Sequence, residues 1–233
     1  SQHFDKERFF TNEALSGIFT FGSIVMSSKL GISHYQNKVK TNLAVFPHEN
    51  LLGHISLIND VNHTYTKPYF SSRLEYKQRR ATFVLNLPLS LNHATTNNRE
   101  EKQELTKVFL NPKLSFKYEF NNMFKINASG QYEQNIDNFE NYYDNLVLSD
   151  YQSLLTMTAP MSVSDLTRAN VRFTFNQPFY AINSSLSYTY QHRNSDIIYK
   201  YDIDENGASY LQMIESPNTS DYHVINLNVK KFI

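Results

Sequence analysis

The sequence predicts an all-β chain: an antiparallel up-and-down meander of about ten long strands, part of a transmembrane β-barrel. Three observations carry the prediction. The first is alternation: Lys113–Phe120 reads Lys-Leu-Ser-Phe-Lys-Tyr-Glu-Phe and turns at Asn121-Asn122. It returns with Phe124, Ile126, Ala128, Gly130 and Tyr132 interleaved with Lys125, Asn127, Ser129, Gln131 and Glu133. Side chains of a strand alternate between the faces of a sheet, so this hairpin has one apolar and one charged face. The second is length. Both arms reach about ten residues or more, what a tilted strand needs to cross a bilayer, whereas most soluble strands stop at about five or six. The third is the connections. Short turns near positions 78, 121 and 177 alternate with long polar connections near 100, 150 and 205. Transmembrane barrels put short turns on one side and long loops on the other.

Taken in order, Gly17–Tyr35 is the first segment with strand character, and Asn37–Lys40 breaks it. Asn42–Phe46 reads as a short strand stopped by Pro47, and Leu51–Thr66 begins apolar and ends polar and β-branched. From Pro68 the alternation is clean: Phe70, Ser72, Leu74 and Tyr76 face one way, and Ser71, Arg73, Glu75 and Lys77 the other. Gln78-Arg79 is a tight turn, after which Ala81, Phe83, Leu85, Leu87, Leu89 and Leu91 share one face. Pro88 has no N–H to give the ladder, which predicts a bulge or local irregularity there. His93–Lys107 is a polar loop or a strand extension into water, and Asn135–Arg168 is a second long connection. Ala169–Asn176 and Phe179–Tyr201 are strands about the turn Asn176-Gln177-Pro178. Asp204-Glu205-Asn206-Gly207 is a hairpin tip, because Asn-Gly accepts positive φ. Tyr210–Ile214 and Tyr222–Phe232 complete the meander, bent at Ser216-Pro217-Asn218.

The 233 residues suit one large β domain, positions 1–233, with strands clearer over 68–233 than over 1–67. Hydrophobic residues make up 40%, mean hydropathy is −0.50, and no apolar run is long enough for a transmembrane helix. A barrel strand gives half its residues to the lumen, so a soluble-looking average does not argue against a membrane. Basic and acidic residues balance at 22 each, and there is no basic block, so nucleic acid is not an expected partner. Cysteine is absent, which excludes disulfides and thiolate metal sites. Ser1-Gln2-His3-Phe4 has no basic and apolar leader, so an exported protein would appear here in mature or excised form. Sixteen Tyr and 17 Phe stand beside no Trp; Tyr suits a membrane interface, with an apolar ring and a polar tip.

Candidate site residues fall in two groups. Arg73, Glu75, Lys113, Lys117, Glu119 and Lys125 share the strand face opposite the aromatics. A Lys or Arg facing lipid at mid-depth costs about 2–4 kcal/mol, so these six are expected to line the lumen. Phe139, Tyr142, Tyr143, Asp144 and Tyr151 lie on the Asn135–Arg168 connection. Loop aromatics stack on ligands, sugars especially, or pack a loop onto the barrel rim. The eight histidines include no pair at the spacing of a helical zinc motif, so no metal is expected. No nucleophile elbow, phosphate loop or other catalytic constellation is present, and no cofactor is implied.

From Pro68 onward the chain resembles the barrel region of a TonB-dependent outer-membrane receptor, of the outer-membrane-protein β-barrel family. The resemblance rests on Pro68-Tyr69-Phe70, Arg73–Lys77, Leu85–Leu91, Leu110–Tyr118, Asp150–Leu154 and Asp204–Gly207, together roughly two-thirds of the chain. It implies a non-enzymatic receptor of the Gram-negative outer membrane. That receptor takes up a small ligand, a glycan among the candidates, through long extracellular loops. The implied partners are outer-membrane lipid, the remaining barrel strands and plug of a parent protein, and the energy-coupling TonB complex. No plug and no energy-coupling box is readable, and the length holds about ten barrel strands. The chain therefore reads as an internal part of a larger barrel whose open edges invite self-association. The alternative is a soluble secreted or surface-attached β-sandwich, an adhesin or glycan binder, with no lipid-facing band. A weaker third reading is an outer-membrane enzyme barrel, a lipase or protease, which needs a Ser or Asp beside a His at one rim.

Overall fold

The computed structural model describes residues 2–45, 55–98, 102–137, 143–150, 153–157, 160–203 and 209–231. Its strands are β1 (Gln2–Phe21), β2 (Ile24–Val45), β3 (Ile55–Gln78), β4 (Ala81–Asn97), β5 (Lys102–Leu110), β6 (Lys113–Glu119), β7 (Phe124–Asp137), β8 (Tyr143–Asp150), β9 (Ser153–Met157), β10 (Ser162–Gln177), β11 (Ile182–Ile203) and β12 (Ser209–Lys231). All twelve join one sheet in the order β1-β2-β3-β4-β6-β7-β10-β11-β12-β9-β8, with β5 also on β4. Pairing is antiparallel except where β9 runs parallel to the start of β12. This is the all-β up-and-down meander that the sequence predicts. With β5 and β6 taken as one traverse and the β8–β9 hairpin set aside, nine traverses remain, close to the ten or so expected.

Several local expectations change. Gly17–Tyr35 is two strands, not one, folded at Gly22-Ser23, with Gly22 at φ 57. Apolar residues alternate on both sides of that turn, so its only signal is a single glycine. Asn37–Lys40 does not break β2: Asn37 pairs with Arg8 on one side and His63 on the other. The Asn135–Arg168 connection is mostly strand. β7 runs to Asp137, β10 starts at Ser162, and β8–β9 lies between them. β12 continues through Ser216-Pro217-Asn218, where the expected bend is a register shift against β11 between Ser195 and Ile197. The tip Asp204–Gly207 lies outside the described residues.

Pro88 disturbs the ladder without shifting it. Leu89 lies opposite Leu110 and Asn86 opposite Lys113, so β5 and β6 hold one register on β4. What changes is hydrogen bonding around two prolines one residue out of step across the ladder, Pro88 and Pro112, neither of which has an N–H. The Asn111 N–H donates to the Pro88 carbonyl at 3.1 Å, and the Tyr132 N–H donates to the Pro112 carbonyl at 3.0 Å. The Asn111 side chain then serves as a surrogate peptide. Its Oδ1 accepts from the Gln134 N–H at 2.9 Å and its Nδ2 donates to the Gln134 carbonyl at 3.3 Å.

Direct pairing carries each face across the sheet. Arg73 lies opposite Asn86, Asn86 opposite Lys113, Lys113 opposite Gln131, and Gln131 opposite Arg168. The other face is apolar and open: Leu30 is 60% exposed, Leu114 51%, Phe173 50% and Leu227 72%. Such a face far exceeds the few hundred Å² of contiguous apolar surface that a soluble monomer tolerates. A β-sandwich would cover it with a second sheet, but every described strand belongs to this one. The soluble-sandwich alternative therefore fails. From Phe83 to Leu91 the band runs about 27 Å along the strand at ~3.4 Å per residue, comparable with the ~25 Å apolar band of outer-membrane barrels.

The band is bordered as a bilayer requires. At the short-turn, or proximal, end, rings follow one another across strands: Phe83 and Phe116 at 4.6 Å, Tyr118 and Phe120 at 4.9 Å, Phe124 and Phe175 at 4.8 Å. At the distal end it gives way to polar pairs. His34 Nδ1 meets Thr66 Oγ1 at 2.9 Å, Tyr132 donates to Asp165 at 2.8 Å, and Tyr190 donates to Asp221 at 2.9 Å. Phe, Tyr and His thus occupy the interfacial girdle positions where barrels commonly carry Trp. Only lipid solvates an outward apolar band between two interfacial belts, and strand walls of this kind are the walls of outer-membrane barrels. The chain is placed there.

Two substitutions test this packing. Leu114→Arg should destabilise the protein in lipid vesicles by about 2–4 kcal/mol. Ser129→Arg, on the polar face, should cost less than about 1 kcal/mol; urea unfolding measures both, and equal costs would contradict the assignment of faces. Gly31 is needed for close approach: a Cβ there would sit 2.6 Å from the Glu13 carbonyl and 2.8 Å from the Tyr69 ring. That ring crosses Gly31 to donate to Asn12 Oδ1 at 3.0 Å. Gly31→Ala should cost about 1–3 kcal/mol by overpacking in the same assay.

Candidate functional site

The polar face is concave. Val39 of β2, Val147 of β8, Ile197 of β11 and Met213 of β12 form one buried cluster, although β2 and β12 lie near opposite ends of the strand order. The sheet must curl toward that face for these residues to meet. The β8–β9 hairpin fills the distal mouth, paired through β9 with β12 and contacting β2 and β3 through β8. Beneath it the concave face buries neutral, hydrogen-bonded side chains, with Lys6 and Arg8 of β1 flanking them. Asn59 donates to Thr41 Oγ1 at 2.8 Å and His63 Nδ1 meets Thr96 Oγ1 at 3.0 Å. These pairs satisfy polar groups that burial would otherwise penalise.

All six charged strand residues singled out in the sequence share this concave face. Arg73 and Glu75 pair at 3.0 Å, and Glu119 is held by Lys117 at 2.9 Å and by Lys125 at 3.3 Å. Each of these side chains is a third to a half exposed, so such pairs contribute only about 0–1 kcal/mol apiece. They set the charge of the wall rather than its stability. Lys113 lies between Asn86 and Gln131 on the same face.

Sequence reading missed three cations of this surface. Arg168, Arg172 and Lys230 join the same face through their pairing with Gln191, Ser187 and Asn183. The signal was present as the alternation Arg168, Asn170, Arg172, Thr174, but it fell at the edge of a supposed loop. From the row of Arg73 down to the short turns, the concave face carries eight Lys and Arg against two Glu. The convex face of those rows carries no charged side chain before Lys231. The loop candidates are placed only in part. Tyr143 and Asp144 lie on β8, within the distal hairpin, while Phe139, Tyr142 and Tyr151 lie outside the described residues.

No known protein-family model matches the chain, and no curated protein matches it. Solved structures do. The ferric-catecholate import receptor Fiu from E. coli K12, in its closed form, matches with a TM-score of 0.62 and 9% identity over 100% of this chain and 36% of its own. The copper transporter OprC matches with a TM-score of 0.62 and 8% identity over 98% of this chain and 35% of its own. The chain thus spans about a third of the length of these proteins. At such low identity the likeness is one of fold, and the shared fold is the barrel wall of outer-membrane receptors and transporters.

Proposed function

We propose that the chain is a segment of the barrel wall of a Gram-negative outer-membrane receptor. It binds a small ligand through its distal loops and imports it in a TonB-dependent way; it is not an enzyme. One observation carries the reading: the charged wall and the hairpin folded over its distal end lie on the same, concave side of the sheet. A ligand captured at the distal end therefore meets a polar wall as it moves inward. In this reading Arg73, Glu75, Lys113, Lys117, Glu119 and Lys125 line the passage. Phe139, Tyr142, Tyr143, Asp144 and Tyr151 meet the ligand outside, glycans being favoured by stacking on Tyr and Phe. The two edges of the sheet support the larger barrel. Among the described residues β1 pairs only with β2, and β12 beyond Gln212 pairs only with β11. Leu15 and Ile18 stand on opposite faces of β1, 80% and 72% exposed, in the half of the strand that has no lysine, proline or bulge to protect a terminal edge. The remaining strands and the plug of a parent protein would meet those edges and that face, and the energy-coupling complex would act through the plug. A second copy of the chain is the competing edge partner.

The absence of cysteine makes the topology directly testable. Single cysteines replace Tyr143 in the distal hairpin and Asn122 in a proximal turn, and intact cells meet a membrane-impermeant maleimide. Position 143 should label and position 122 should label only after lysis; equal labelling of intact cells would remove the spanning wall. Val147→Asp would place a carboxylate beside Val39, Ile197 and Met213. It should loosen the hairpin and raise the labelling rate at position 143 about tenfold, as loss of ~1.4 kcal/mol of closure implies. Import is tested separately. Cells lacking the protein should lose growth on one nutrient of a panel of ferric chelates, copper and oligosaccharides, and loss of the energy-coupling complex should reproduce the defect. Growth that persists without that complex would make the barrel a passive pore.

A further inference from the structure

We infer that the proximal half of the concave face holds a binding site for a small oxyanion, an organic phosphate or polycarboxylate, between Arg172 and Lys230. Three adjacent strands each supply two side chains: Arg172 and Thr174 from β10, Asn183 and Ser185 from β11, and Asn228 and Lys230 from β12. Together they line a depression of about 350 Å³. The pairing puts them on one face, with Thr174 opposite Ser185, Ser185 opposite Asn228, and Asn183 opposite Lys230. The volume lies within the ~300–1,000 Å³ of small-molecule sites, larger than a bare halide needs. The site is deeper in the passage than the distal loops, and its assignment rests on reading this face as the passage wall.

The chemistry of the lining selects the ligand. A guanidinium, an ammonium, two carboxamides and two hydroxyls all donate hydrogen bonds, and no carboxylate is among them. The two carboxylates of this half of the wall are engaged elsewhere, Glu119 by Lys117 and Lys125 and, on the distant β3, Glu75 by Arg73. Arg172 and Lys230 have no ion-pair partner among the described residues. The contrast with Arg168, two periods of the alternation away on the same strand, is instructive. Its guanidinium bonds Gln191 Oε1 at 2.9 Å and 3.3 Å, whereas the Arg172 fork stands open to the depression. A free fork matches the paired oxygens of phosphate or carboxylate. The excess of cations on this half of the wall adds a field of one sign, which concentrates anions in a cleft. The groove of about 480 Å³ near Phe124, Phe173 and Leu186 opens on the convex face and belongs to the lipid band.

The test is equilibrium binding, which needs no transport. The protein purified in detergent is titrated calorimetrically with inorganic phosphate and with citrate at low ionic strength. At least one should bind saturably; tighter phosphate assigns the phosphate class and tighter citrate the polycarboxylate class. The double variant R172Q/K230Q should weaken binding about tenfold or more, the scale of a lost charge-assisted pair. Asn228→Asp keeps both cations and adds a carboxylate, and it should weaken binding to a similar extent. Lys231→Gln, one residue away on the convex face, should stay within about twofold. No saturable binding of either probe, or binding that neither pocket variant changes, overturns the site. Binding intact in a protein that does not import leaves the site standing and overturns the import reading instead.

Discussion

Every feature of this chain depends on the backbone hydrogen-bond ladder. Lipid offers no partner to an exposed N–H or C=O, so a strand that crosses it must be paired along its whole length. That demand explains strands of up to 24 residues and turns as tight as Gly22-Ser23. It also explains the care taken around proline. Pro88 and Pro112 remove two donors from neighbouring strands near the middle of the wall, and the Asn111 carboxamide restores the missing pair against Gln134. The repair holds β4, β5, β6 and β7 in one register, and register fixes which face every side chain takes.

The two faces live in different solvents, and the composition follows. The convex face is a hydrocarbon band between a ring of Phe and Tyr and a border of His, Thr and Asp. From the row of Arg73 to the short turns, the concave face of the strands keeps all the charge but Lys231. A chain of zero net charge thereby builds a wall that is locally basic, because its acidic residues sit largely elsewhere: Asp5, Glu7 and Glu13 on the convex side of β1, Asp165 and Asp221 at the distal border. Net charge is a statement about the whole surface and says nothing of this segregation.

Much of this was legible in the sequence because period two is a strong signal where lipid lies on one side. Lys113–Glu133 announced both faces and the length of β7, though β6 alone is seven residues and reaches full length only with β5, and the six charged residues taken from such alternation do share a face. Legibility failed where a strand leaves the bilayer. There both faces turn polar and alternation fades, so Asn37–Lys40 looked like a break and Asn135–Arg168 like a loop. The strands survive because neighbours on either side hold their backbones and the hairpin covers their side chains. That hairpin was invisible because its partners, β12, β2 and β3, are remote in sequence. Such non-local pairing leaves no local pattern.

The distribution of charge along the concave face also decides where the hairpin lies. Burying a hydroxyl or carboxamide costs little once it is hydrogen-bonded, whereas burying an ammonium or guanidinium costs several kcal/mol even when paired. The hairpin packs on Val39 through Val147, near buried Val61, Asn59 and His63, and no Asp, Glu, Lys or Arg is among the buried residues described. The rows from Arg73 downward could not be covered in the same way without stranding eight cations. A distal patch of neutral side chains that a hairpin can bury, with its charged neighbours left at the margin, and a basic proximal wall that must stay wet are two consequences of one desolvation rule acting on the same face.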